Sequence, residues 1–264
     1  MSLVYGIDWS GAARAGDKIW VAAIDREQNA VLDVRRPWKS RTNPDVTDAV
    51  ADWLGHLDYG WVGLDSPLGL ASTDRMSLVG TTGRDPFQWS RELVQRYPTR
   101  EALIAAAIEA KLIGRHRRAT DAKLRSPFPP LLLQLIHQTY AAFRLISRLE
   151  RSRVRILPWE HALARPVTLL EACPAITLRS LGLSNRNYKL RADSRAVRER
   201  LLDAALHHRG WTIREDVRDA VLRDPEGDGL DAILCGIAAS NAVDLDHAEI
   251  ADEPAALEEG WIYA

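Results

Sequence analysis

Three short apolar runs in this chain each stop at a carboxylate. Leu3-Val4-Tyr5-Gly6-Ile7 ends on Asp8, Gly60-Trp61-Val62-Gly63-Leu64 on Asp65, and Val167-Thr168-Leu169-Leu170 on Glu171. Runs of this length bounded by turn formers such as Ser10-Gly11 suit buried strands. The architecture is constrained accordingly: at least three strands carry an acid at the tip.

The segments between them supply the rest of the order. Lys18 to Asp25 and Ala30 to Val34 are β-type runs separated by Gln28-Asn29, so with the first run they predict an antiparallel meander. Asn43-Pro44 offers a cap and a first-turn proline, and Val46, Val50, Trp53, Leu54 and Leu57 fall on one helix face. Three strands, a helix and a fourth strand, with acids on the first and fourth, form the opening half of an RNase H-like fold. The expected fold class is α/β, a mixed five-stranded sheet of three antiparallel strands followed by parallel ones, flanked by helices.

Residues 66 to 98 read as a long loop with one short helix near Pro86 to Arg96. Helix is expected from Thr99 to about Ile113, then a basic segment, then a long helix from about Pro130 to Arg151. The 66–160 region is thus expected as a largely helical insertion after the fourth strand, within a single domain spanning 1–264. Asp193 is the expected cap of a helix running to His208, stopped by Gly210. A final helix begins near Asp228 and runs through Ile233, Ile237 and Ala238.

A chain of 264 residues buries roughly 70–75% of its unfolded surface and needs no disulfide staples. Its two cysteines, Cys173 and Cys235, lie in apolar stretches and read as core residues. Without C-x-x-C spacing or a Cys/His cluster, structural zinc is not expected, and His116, His137, His161, His207 and His208 also lack ligand spacing. No stretch approaches the roughly 18 apolar residues of a membrane span, and the N-terminus lacks a basic n-region. A cytoplasmic protein with no membrane partner is expected.

Asp228-Gly229-Leu230-Asp231 adds two acids at i,i+3 spacing on one helix face. Asp231 has apolar neighbours on a helix that must pack on the sheet, where an unpaired charge costs several kcal/mol. Adjacent strand tips and a helix start can meet at one point. Carboxylates gathered there repel unless a cation joins them. Hard oxygen donors favour Mg²⁺ or Mn²⁺, and two such ions catalyse in-line phosphoryl displacement. Each acid also has a plain alternative: a turn for Asp8 and Asp65, an arginine partner for Glu171, a helix cap for Asp228.

The motifs Gly6-Ile7-Asp8-Trp9-Ser10-Gly11-Ala12, Gly63-Leu64-Asp65-Ser66-Pro67-Leu68-Gly69, Leu170-Glu171-Ala172-Cys173-Pro174-Ala175 and Asp228-Gly229-Leu230-Asp231-Ala232 occur in order. Together they resemble domain-of-unknown-function family 429, described as predicted RNase H-like nucleases. Glu259-Gly260-Trp261-Ile262-Tyr263 resembles that family's closing motif, and the Asp-x-x-Asp spacing is similar to the final helix of RuvC-type resolvases. The resemblance implies Asp8, Asp65, Glu171 and Asp231 as the catalytic and metal-binding acids, with Asp228 a further metal ligand.

Charge distribution points toward an anionic partner: Arg91 to Arg200 holds 22 Lys/Arg against 9 Asp/Glu, within a chain of net charge −1. Arg117 and Arg118 could fork onto phosphates, with Thr120 and Asp121 capping a short helix that holds them. That segment resembles an Arg-x-Thr-Asp element of the family. Lys189 and Ser10 complete the candidate substrate contacts, and Trp9 and Trp89 are candidates for stacking a base. The expected function is a metal-dependent nuclease acting on RNA or DNA. Two other readings share the fold. An actin-like phosphotransferase or ATPase requires a Gly-rich phosphate loop and a second related domain; Ser10-Gly11-Ala12 is short and no second copy occurs. A non-catalytic nucleic-acid-binding protein leaves an acidic cluster whose repulsion costs stability unused.

Overall fold

The computed structural model describes residues 3–81, 83–190 and 194–264. Leu3–Asp8 (β1), Trp20–Asp25 (β2) and Ala30–Arg35 (β3) form the expected antiparallel meander. Its turn is closed by the Asp25 carboxylate, which accepts from the Glu27 and Gln28 amides. Asn43–His56 (α1) leads to Gly60–Asp65 (β4), which pairs parallel to β1.

The next part of the chain is helical: Ser72–Val79 (α2), Pro86–Arg96 (α3), Arg100–Glu109 (α4), Ala119–Lys123 (α5) and Ile136–Arg148 (α6). α2 was not expected, because its buried face carries Asp74 and Arg75 beside Leu78 and Val79, which breaks the apolar periodicity. The helix expected from Pro130 starts only at Ile136. Pro129 and Pro130 lack amide donors, and residues 131–135 close tight turns instead, with the Leu131 carbonyl accepting from Gly114.

Val154–Ile156 (β5) and Val167–Ala172 (β6) extend the sheet, followed by Pro174–Ser180 (α7) and Ser194–Arg209 (α8). The expected cap Asp193 lies outside the described residues. Thr212–Ile213 (β7), Glu215–Arg223 (α9), Asp228–Val243 (α10), His247–Ala251 (α11), Ala256–Glu259 (α12) and Ile262–Tyr263 (β8) complete the chain. The five expected strands occupy the order β6-β4-β1-β2-β3. Short β5 and β7 extend the two edges, and β8 pairs with the end of β6, raising the sheet from five strands to eight. Two- and three-residue strands carry too little pattern to be legible alone.

Apolar side chains on one face, among them Ile7, Val62 and Leu64, pack on α1, α3 and α6. The other face is covered by α10 with α7, α8 and α9. β1 and β4 place Gly6 opposite Gly63 in register, and α10 crosses at that pair. A Cβ on Gly6 would lie 1.9 Å from the Ala232 carbonyl oxygen, and one on Gly63 2.3 Å from that of Cys235. The paired glycines thus let α10 approach backbone to backbone, two residues from the strand-tip acids. No helix among the described residues is long and apolar enough to cross a membrane.

Candidate metal centre

Register decides which acids meet. Ile7 pairs with Leu64, so the next residues, Asp8 and Asp65, share a face, the one facing α10. Asp231 lies in the first turn of that helix, above Gly6. Carboxylate oxygens of Asp8, Asp65 and Asp231 lie within 4.8 Å of one another. Asp8 and Asp231 are only 8% and 2% exposed; Asp231 and Asp65 line a cleft, and Asp8 lies behind them.

Burial, together with the neighbouring acids, pushes all three carboxyls toward the protonated form. Asp8 is held well above the usual carboxylate range by burial, then by Asp228, Asp231 and Asp65. Asp65 is raised to about 8 by burial and Asp231. Asp231 is also raised by burial, although Lys189 and Tyr188 oppose the shift. Asp228, at the edge, is raised to about 7, mainly by burial. Such a cluster carries surplus negative charge.

Lys189 is the cation that the cluster does have. Its Nζ lies 2.5 Å from Asp231 Oδ2 and 3.5 Å from Asp228 Oδ1. Burial disfavours its charge, but Asp231 more than compensates and keeps the ammonium protonated. Tyr188 donates to Asp231 Oδ1 at 2.9 Å. The Tyr188-Lys189 pair sits between Asn187 and Leu190, both in left-handed backbone, at φ 64° and 54°. For leucine that conformation is strained, and Arg198 pins it by donating to the Tyr188 carbonyl while the Leu190 amide bonds Pro225. Tyr188 was passed over in the sequence, although it adjoins Lys189.

Glu171 lines the same cleft but stands outside the three-acid group. It pairs with Leu64, not with Asp65, so its side chain points to the opposite sheet face. There the Arg118 guanidinium grips it at 2.6 and 2.7 Å, and the Leu68 amide donates at 2.8 Å. Arg118 also forks onto Asp121 at 2.9 and 3.1 Å. It is 1% exposed. Burial works against its charge, and Glu171 and Asp121 outweigh that cost. The arginine offered as a phosphate contact is therefore the centre of a buried carboxylate–guanidinium–carboxylate triad. Glu171 keeps its proton affinity raised by burial despite Arg118.

Thr120 accepts from the Ile262 amide at 3.1 Å and so fastens β8 beside the triad. Arg117 is exposed, but its guanidinium donates to the carbonyls of Ser126 at 2.6 Å and Pro127 at 3.3 Å. Ser10 Oγ accepts from Ala12 at 3.3 Å, closing a turn at the lip of a neighbouring cavity. Much of the basic surplus in the middle of the chain serves the same local purpose: Arg153 binds the Gly55 and Leu57 carbonyls, Arg155 those of His161 and Leu163, and Arg179 those of Leu124 and Arg125. Trp9 and Trp89 are buried at 2% and 1% exposure and offer no stacking face to the cleft. Cys235 is in the core, whereas Cys173 lines the cleft, its thiol pushed up to about 12 by burial.

An antiparallel meander continued by parallel strands, with acids on adjacent strand tips and on the helix crossing them, defines an α/β protein of the RNase H-like class. The chain belongs to the family described as Protein of unknown function (DUF429), whose model matches residues 6–256. No curated protein and no solved structure matches it.

Proposed function

We propose that the protein is a metal-dependent nuclease that hydrolyses phosphodiester bonds of RNA or DNA at the Asp8–Asp65–Asp231 cluster. The observation that carries this reading is the convergence of those three carboxylates within 4.8 Å, with Asp65 and Asp231 lining a cleft. With Asp228 alongside, the cluster has four acids, and the Lys189 ammonium contacts two of them, Asp231 and Asp228. An all-oxygen donor set with surplus negative charge suits Mg²⁺ or Mn²⁺. Such ions supply Lewis acidity to a phosphodiester and lower the pKa of an attacking water.

The chain's own groups have separable tasks. Asp8, Asp65 and Asp231 hold cations, and Asp228 adds charge at the edge. Tyr188 fixes the Asp231 carboxylate through its hydroxyl, and Lys189 neutralises it; with cations bound, the ammonium would be free to pair with a substrate phosphate. Glu171 stands outside the converging three and is committed to Arg118 and the Leu68 amide. Through Arg118 it anchors the start of α5 against the sheet.

The test is Mn²⁺ calorimetry on wild type and Asp8→Asn, followed by an RNA and DNA cleavage panel with the same two proteins. Wild-type binding that the variant loses, with Mn²⁺-dependent cleavage, is the expected result. A wild type that binds no divalent ion even with oligonucleotide present rejects the proposal and leaves the cluster as a charge network in a binding protein.

A further inference from the structure

The cleft above the carboxylates has an unusual rim. Ser126-Pro127-Phe128-Pro129-Pro130 places Phe128 between prolines, and its ring is 45% exposed while lining the cleft. Two devices hold this loop: the Arg117 guanidinium on the Ser126 and Pro127 carbonyls, and the Ser126 hydroxyl donating to the Phe128 carbonyl at 3.2 Å. Prolines remove backbone freedom, so the backbone that carries this aromatic side chain is held in place beside a polar floor. Pro174, Ala175 and Ile262 extend the apolar lining.

We infer that this cleft takes an unpaired nucleotide of a single-stranded nucleic acid, its base stacked on Phe128 and its phosphate above Asp65 and Lys189. The inference rests on the nuclease reading and specifies its substrate. The cleft encloses about 310 Å³, near the lower limit of roughly 300–1,000 Å³ for small-molecule sites. Asp231 lies at its floor almost without exposure, and Asp8 is buried behind it. A duplex is a stiff stack that keeps its bases inside, and reaching buried groups requires a nucleotide to leave that stack at a cost. A single strand pays no such penalty, and any base can stack on an aromatic face.

The cleft also continues. Gln134 and Gln138 are shared with a second cavity of about 400 Å³, lined further by Ser10, Gly11, Arg100 and His137. His137 Nδ1 is buried there without a hydrogen-bond partner. Arg100, held by Glu101 and the Gly11 carbonyl, puts positive charge on this second cavity, which suits the phosphate of a next nucleotide that a mononucleotide lacks.

The experiment is fluorescence anisotropy in Ca²⁺ with labelled oligo(dT) and oligo(U), the oligo(dT)·oligo(dA) duplex, and dTMP and UMP as competitors. Wild type should bind at least one of the single strands about tenfold tighter than the duplex, and Phe128→Ala should lose about tenfold of that affinity, the worth of one stacked base. Phe128→Trp should restore it. Duplex binding as tight as single-strand binding, an unchanged Phe128→Ala, or mononucleotides competing as well as the strands each overturns the inference. Mn²⁺ calorimetry on the same proteins separates the two readings. Intact Mn²⁺ binding without strand preference rejects the strand alone, whereas no Mn²⁺ binding in wild type rejects the nuclease.

Discussion

Replacing Asp65 by Asn should make the metal-free protein more stable, not less. In the fold this carboxyl titrates near 8, against an ordinary value of 3.8, because it is buried beside Asp231. The folded state thus binds the proton more tightly than the unfolded chain. The favourable contribution is complete below about pH 4 and is lost as pH rises through about 8. At about 1.4 kcal/mol per pH unit, the whole interval corresponds to a ceiling of ~6 kcal/mol. Asp65 opens onto the cleft, so water and relaxation reduce this to roughly 2–3 kcal/mol. Asparagine keeps the shape and mimics the protonated acid at every pH. In EDTA near pH 8, Asp65→Asn should therefore melt about 5–10 °C above wild type, at roughly 2–4 °C per kcal/mol. Near pH 4 the two should coincide. Circular dichroism melts at both pH values provide the comparison. A variant that melts below wild type at the higher pH without metal would refute the argument that repulsion and burial dominate at this position.

Other consequences follow from the same geometry. Saturating Mn²⁺ should raise the wild-type melting temperature by an amount equivalent to ~2.7 kcal/mol at a hundredfold excess over Kd, and scanning fluorimetry should show no such rise for Asp231→Asn. Arg118→Met should cost about 3–5 kcal/mol in urea unfolding, because it leaves Glu171 and Asp121 as unpaired buried charges; a loss under 1 kcal/mol contradicts the triad. Gly6→Ala should destabilise by at least ~1–3 kcal/mol and weaken Mn²⁺ binding together, since its methyl drives α10 off β1. Tyr188→Phe should lose about 1 kcal/mol of stability with the fold unchanged by circular dichroism, reflecting one hydrogen bond to Asp231.

Much of this protein follows from local pattern. Apolar runs ending at Asp8 and Asp65 are strands because their lengths and turn residues allow little else, and their order identifies the meander and its parallel continuation. Asp231 was legible as well, since an acid on an otherwise apolar helix needs a partner. Strand pairing register was not. One residue of offset between β4 and β6 turns Glu171 away from Asp65 and toward Arg118, a parity that no property of residues 167–171 encodes by itself. The same holds for Arg117 and Arg118. A basic cluster in a sequence has no direction, and only packing determines that Arg118 meets two buried acids while Arg117 secures the loop beneath Phe128. Local sequence thus settled which elements form and where charge must be accommodated. The tertiary structure decided which charges face each other, because side-chain direction in a sheet depends on long-range pairing between segments some hundred residues apart.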